Sequence, residues 1–268
     1  MTPSLERWLP LLTRIADRAD PIALQYFRTA HLAVDAKADA SPVTAADRGI
    51  EEAARDLIHR EIPELGIYGE EFGESEASGG VRLIIDPIDG TRNFIRGIPI
   101  FASLLAIEEA GRVTAGLVSA PALGQRWHAA RGLGAYCGSR RLQVSTIRSL
   151  GQAQIFHGDL SGAAEKPMPP GALALFRRVH RTRGFGDFYQ HLLVAEGAGE
   201  FAIDPEAKPW DIAALQVIVE EARGRATTLE GRADIYGGSL VTSNGLLHGE
   251  TLRLLLAPAP EPPRPANP

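Results

Sequence analysis

Two aspartates three positions apart, in the run Asp86-Pro87-Ile88-Asp89-Gly90-Thr91, carry the strongest chemical signal in the chain. They follow an apolar stretch, Val81-Arg82-Leu83-Ile84-Ile85, that reads as a strand. Pro87 and the Gly90-Thr91 turn are expected to stop it. Strand ends followed by tight turns are common places for phosphate and metal chemistry. Carboxylates held close together repel one another, and a divalent cation relieves that cost. An isolated Asp-x-x-Asp would equally suit an Asx turn with solvated acids. Here three further segments supply acids: Asp47 after Thr44, Glu70 and Glu71 after Gly69, and Asp211 after Trp210. A set of oxygen donors suits magnesium or manganese rather than zinc or copper.

The composition narrows the function classes. The 268 residues are 44% hydrophobic and 23% charged, ordinary for a globular protein with a substantial core. A net charge of −5 argues against a general nucleic-acid or anionic-membrane binder, so no nucleic-acid and no membrane partner is expected. An acidic protein that handles an anionic substrate must find positive charge locally, and metal ions supply it. Cys137 is the single cysteine, which excludes an intrachain disulfide, makes a thiolate zinc site unexpected and fits a reducing cytoplasm. Residues 1–20 mix charges with Leu and Ile and contain no uninterrupted apolar segment of the signal-peptide kind.

The elements that must position these acids can be read coarsely. Helical spacing of Leu5, Trp8, Leu9, Leu12, Ile15, Ala16 and Ala19 predicts an amphipathic helix over about 5–27, with Pro10 and Pro21 challenging its continuity. Residues 31–40 read as a polar, hairpin-like segment. Thr44, with Asp47 three residues on, caps a second helix over about 45–60. A short strand over 65–68 leads to Gly69-Glu70-Glu71, and 72–80 is a loop. Strands over 101–107, 113–120, 126–130 and 135–137 form an antiparallel meander, with an edge strand over 142–146. The second half offers a strand over 155–158, helices over 173–181 and 188–198, and a strand-turn over 183–187. A strand over 201–203 and a long apolar helix over 210–222, entered through Pro209, come next. Short strands at 226–228, 235 and 240–241 precede a last helix over 249–256. The Pro-rich segment from Ala257 cannot pack and is expected to be disordered.

The ordered set Lys37…Asp39-Ala40-Ser41-Pro42-Val43-Thr44-x-x-Asp47, Gly69-Glu70-Glu71, Asp86 to Thr91 with Asn93-Phe94, and Trp210-Asp211 with Ala213-Ala214 resembles the inositol monophosphatase family of magnesium-dependent, lithium-sensitive phosphatases. The resemblance runs over nearly the whole chain apart from the Pro-rich tail. It implies an α+β fold, a layered α/β/α/β/α sandwich with the metal site between two subdomains. Those would be residues 1–148, carrying helices, an antiparallel sheet and most metal ligands, and 149–256, an α/β unit carrying Asp211 and the specificity segments, followed by the tail, 257–268. It also implies two or three magnesium ions, with manganese as a substitute, and a homodimer. Carried over position by position, Glu70, Asp86, Asp89 and Asp211 match side-chain metal ligands, and Ile88 matches a carbonyl ligand. Asp47 and Thr91 match a pair that positions and activates water, with Glu70 assisting. Asp89, Gly90 and Thr91 match contacts to the phosphate.

The leaving group is argued from Arg183-Gly184-Phe185-Gly186-Asp187-Phe188-Tyr189. Gly-Asp followed by an aromatic resembles the histidinol-phosphate phosphatase branch, as does Arg96-Gly97-Ile98-Pro99. Histidinol is cationic, so carboxylates beside the leaving group favour it over neutral inositol. Asp187 and Asp204 are the candidates, with Glu206 as a neighbour. Asp187 also has a reading as a helix N-cap. The expected reaction is hydrolysis of L-histidinol phosphate by metal-activated water, within histidine biosynthesis. The alternatives are an inositol-1-phosphate or broad sugar-phosphate phosphatase, a 3′-phosphonucleotide phosphatase, and a phosphate sensor or interaction protein on the same scaffold. Of the histidines, His157 is in a position that could face a cleft, with a structural or surface role as the more ordinary reading. Trp210 reads as packing that orients Asp211, and Glu71 as an acid outside the ligand set.

Overall fold

The computed structural model describes residues 3–29, 34–36, 42–75, 79–160 and 167–258. An eight-stranded sheet has the order β10-β9-β8-β7-β6-β5-β3-β4. Its strands are β3 (Gly66–Gly69), β4 (Gly73–Ser75), β5 (Val81–Asp89), β6 (Ala102–Glu109), β7 (Arg112–Ala120), β8 (Gln125–Ala130), β9 (Gly134–Cys137) and β10 (Arg140–Arg141). All neighbours are antiparallel except β3 and β5. A five-stranded sheet has the order β12-β11-β13-β15-β14, from β11 (Gln154–His157), β12 (Arg181–Gly184), β13 (Phe201–Asp204), β14 (Arg225–Thr227) and β15 (Leu240–Ser243). A small pair, β1 (Val34–Ala36) and β2 (Pro42–Thr44), stands apart.

The helices sort into three layers because the strands bury both faces. Along β5 and β6, Leu83, Ile85, Leu105 and Ile107 pack under α1 (Pro3–Tyr26) and α2 (Ala45–Glu61). The alternate residues Ile84, Leu104 and Ala106 pack against the middle layer, α5 (Asp187–Ala195) and α6 (Pro209–Glu221). That two-sided burial is why these strands read as near-continuous apolar runs. Helix α6 is buried at every position from Ile212 to Val219, Gln216 included, as a helix wedged between two sheets must be. Beyond the second sheet, α4 (Ala172–Phe176) and α7 (His248–Leu255) cover Ile155, Phe201, Ile203 and Val241. The expected α/β/α/β/α sandwich is therefore present. Among the described residues, no helix is long and apolar enough to cross a membrane.

The structure departs from the sequence reading in several places. Helix α1 has the expected extent, and it runs through Pro10 and Pro21 without a break. Both prolines are exposed, while Trp8, Leu11, Leu12, Ile15 and Ala16 hold the other side in the core, so packing outweighs the lost backbone bonds. Strand β5 does not stop at Pro87. Its ladder with β6 is irregular between Asp86 and Asp89 and resumes at Asp89, so Pro87 sits where no ladder donor is required. Residues 142–146 form no strand: Leu142 and Val144 turn inward, and the Val144 N–H donates to Ala222 rather than to a sheet neighbour. The helix expected over 173–181 is only α4, since Arg177-Arg178-Val179-His180 offers one apolar residue to bury and the chain re-enters the sheet as β12. Ile235 is buried but outside any strand, and the loop expected over 72–80 includes β4. Lys37, Asp39, Ala40 and Ser41 lie outside the described residues, as does the tail from 259.

Candidate active site

Side-chain alternation puts Asp86 on the same side of β5 as Ile84, facing the middle helix layer. The irregularity after it carries Asp89 to the same region, and the first turn of α6 brings Asp211. One carboxylate oxygen from each of Asp86, Asp89 and Asp211 lies within 4.8 Å of the others. Asp211 Oδ2 accepts from the Lys208 N–H at 2.7 Å and so caps α6, while Asp89 Oδ2 accepts from the Phe188 N–H at 2.6 Å. Asp86 Oδ1 is buried and has no hydrogen-bond partner among the described residues. Burial raises the pKa of all three, to about 7 for Asp211. Neighbouring negative charge adds to it, from Glu70, Asp89 and Asp211 around Asp86 and from Asp187, Asp211 and Asp204 around Asp89. A buried acceptor without a donor, surrounded by like charges, fits a hard cation.

Glu70 follows β3, and its N–H donates to Ile85 O at 3.3 Å, which holds it beside β5. The next two N–H groups are gripped by Glu51, a fully buried residue of α2: Oε2 accepts from Glu71 at 2.8 Å and Oε1 from Phe72 at 3.2 Å. Arg55 Nε and Nη2 donate to the same Oε1 at 2.9 and 2.8 Å. The glycine at 69 is required by this approach, since a Cβ there would lie 2.0 Å from Glu51 Oε1. Asp47 closes a capping box: its Oδ2 accepts from the Thr44 N–H and hydroxyl, and Thr44 Oγ1 accepts from Ala46 N–H. Burial raises the Asp47 pKa, and Glu70 adds to that, which places the two carboxylates within reach of each other's charge.

The turn after Asp89 needs Gly90, whose φ is +80° and whose absent Cβ would meet Ile100 O at 2.9 Å. Thr91 Oγ1 donates to Ile88 O at 2.9 Å, so in this structure the hydroxyl expected to pair with Asp47 is bonded within its own turn.

A second group of acids continues from the first. Asp89, Asp187, Asp204, Glu206 and Asp211 line one cavity of about 110 Å³, with Phe188, Ala207, Leu215 and Leu240. Asp187 is not an N-cap. Gly186 occupies that position, and Asp187 sits at φ +51° with its Oδ2 accepting from Asn93 Nδ2 at 2.9 Å. Burial, then the charge of Asp204, pushes its pKa up to about 7. Asp204 ends β13 and is held on both oxygens: Gln190 Nε2 donates to Oδ1 at 2.7 Å, and His191 Nε2 lies 2.8 Å from Oδ2. Gln190, His191 and Glu51 went unnoticed in the sequence. For His191 the available signal was its spacing of four from Asp187, which places both on one side of a helix.

The remaining candidates take supporting places. His157 stacks on Phe176 with ring centroids 5.3 Å apart and is not among the cavity residues. Trp210 packs edge-on to Tyr68 at 5.3 Å, as expected of a residue that braces Asp211. Glu71 is half-buried with its N–H on Glu51, and Arg183 is exposed.

Residues 4–259 match the family model described as the inositol monophosphatase family. The chain belongs to that family. It is 46% identical over 254 residues to the histidinol-phosphatase of Mycobacterium tuberculosis, covering 93% of this chain and 98% of that one. It is 42% identical over 250 residues to the histidinol-phosphatase of Streptomyces coelicolor, covering 90% and 94%. Among solved structures, the extragenic suppressor protein suhB of Bartonella henselae superposes with a TM-score of 0.84 at 29% identity, over 93% of this chain and 98% of that one.

Proposed function

We propose that the protein is a metal-dependent phosphatase that hydrolyses L-histidinol phosphate to L-histidinol and phosphate. The observation that carries this reading is the shared cavity: Asp89 and Asp211, two of the acids suited to a metal, line it together with Asp187, Asp204 and Glu206. Family membership and the two histidinol-phosphatase relatives support it. A neutral inositol ring gains little from further carboxylates, whereas a leaving group bearing an ammonium and an imidazole is stabilised by them.

In this reading Asp86, Asp89, Asp211, Glu70 and the Ile88 carbonyl would hold magnesium, with manganese as a substitute. When bound, the metal offsets the crowded negative charge and the charge of the phosphate, and lowers the pKa of a bound water towards neutrality. The chain's own residues do the rest. Asp47, fixed by Thr44, presents a carboxylate beside Glu70 to orient that water and accept its proton. Gly90 lets the phosphate approach the backbone of the turn, and Thr91 holds the turn's shape through Ile88. Asn93 and the Phe188 N–H tie α5 to the same turn, so the leaving-group wall and the phosphate turn are joined directly. Side-by-side turnover of L-histidinol phosphate, inositol 1-phosphate and adenosine 3′,5′-bisphosphate with magnesium tests the reading. Preference for the first is expected; preference for either of the others overturns it.

A further inference from the structure

Asp204 stands in a repulsive setting. It shares its cavity with Asp89, Asp187, Glu206 and Asp211, and its charge is felt by three of them. Left to itself, a partly exposed carboxylate so placed would swing towards solvent. Two consecutive residues of α5 prevent this. Gln190 Nε2 is anchored on Ile203 O at 3.3 Å and on Asp204 Oδ1 at 2.7 Å. His191 is fully buried, with Nε2 at 2.8 Å from Asp204 Oδ2 and Nδ1 at 2.8 Å from Thr242 Oγ1 on β15. The carboxylate accepts, so the proton belongs on Nε2, and the Thr242 hydroxyl can then donate to Nδ1. A ring held at both nitrogens cannot turn, and it fixes the plane of the carboxylate it touches.

We infer that His191, braced by Thr242 and assisted by Gln190, is a positioning residue that holds Asp204 in the cavity as the receptor for the positive charge of the leaving group. The inference rests on the histidinol-phosphate reading and extends it: selectivity for a cationic alcohol depends on a buried histidine that never touches the substrate. Each oxygen of Asp204 uses one lone pair on α5 and keeps another for an ammonium or imidazolium donor, so a charge-assisted bond can form without the carboxylate first reorienting. Neutral monoesters, which offer hydroxyl donors but no positive charge, gain less from this arrangement.

The test compares kcat and KM for L-histidinol phosphate and for inositol 1-phosphate, with saturating magnesium, in the same preparations of His191→Leu, His191→Gln and Thr242→Val. His191→Leu should raise KM for L-histidinol phosphate about tenfold with kcat little changed, and leave kcat/KM for inositol 1-phosphate within about threefold. His191→Gln keeps a donor near the Nε2 position and should recover most of the loss. Thr242→Val, nearly isosteric, should shift KM the same way by less, and it serves if the leucine variant fails to fold. In an Asp204→Asn background, His191→Leu should add nothing. Equal losses on both substrates, or an unchanged KM for L-histidinol phosphate in folded His191→Leu and Thr242→Val, would overturn the inference while leaving the enzyme reading intact. A wild-type enzyme without preference for L-histidinol phosphate would instead remove that reading, and the inference with it.

Discussion

The acids suited to a metal and the acids beside the leaving group are built on opposite principles. At the end of β5, Asp86 has a buried oxygen with no donor among the described residues, and burial and the acids around it raise its pKa. Across the cavity that Asp89 and Asp211 line, Asp204 has a donor on each oxygen, and Asp187 is tied to Asn93. The first group is destabilised as it stands and becomes stable with a cation. The second is fixed in advance by the protein. A metal ion can pull flexible acids into place by its own charge, but an organic cation bonds directionally and benefits from acceptors already aligned.

The contrast can be broken first at Asp86. Asp86→Asn keeps the shape but removes central charge, and turnover should fall about a thousandfold, measured as phosphate release with magnesium. Near-normal activity would remove Asp86 from the machinery. Asp187→Ser acts on the other side: kcat/KM for L-histidinol phosphate should fall about tenfold to a hundredfold, and for inositol 1-phosphate by much less. Equal losses would remove Asp187 from the selectivity argument. Glu51→Gln leaves the acids in place but loosens the turn that carries Glu70. The magnesium concentration for half-maximal rate should rise about tenfold, with kcat at saturation largely restored.

The smallest effect is thermal. In metal-free protein the carboxyl of Asp211 is raised to about 7, and Asp86 and Asp89 are raised too. Between the unfolded value, near 4, and the folded value, the folded state binds more protons, so its stability falls as pH rises through that window. The melting temperature with chelator present should drop by a few degrees between pH 5 and pH 8, and magnesium should restore it more at pH 8 than at pH 5. A chelated protein that melts higher at pH 8 would contradict the electrostatic account.

Much of this was legible in the residues. The Asp86–Thr91 turn could be read because its chemistry lies in consecutive positions, and α6 because a run of helical length from Ile212 to Val219 with a single polar residue, Gln216, has to be central. Thr44 and Asp47 announced their capping box by spacing alone. Glu51 and His191 could not be read in the same way. Each looks like an ordinary polar position on an amphipathic helix, and each acquires its role only when another segment arrives: the Gly69–Phe72 turn for Glu51, β13 and β15 for His191. The extent of β5 was misjudged, and the continuity of α1 left open, for a related reason, since the penalty of a proline is local while the burial that offsets it is tertiary. The helix expected to reach Arg181 failed because its basic second half has only one apolar residue, Val179, to bury.

The central claim is that fixed carboxylates beside the metal acids select a positively charged leaving group. It is tested most directly by comparing L-histidinol phosphate with its analogue lacking the amino group, under identical magnesium. The account predicts a kcat/KM about tenfold to a hundredfold higher for the amine-bearing substrate, the worth of one charge-assisted hydrogen bond. Equal values for the two would contradict it.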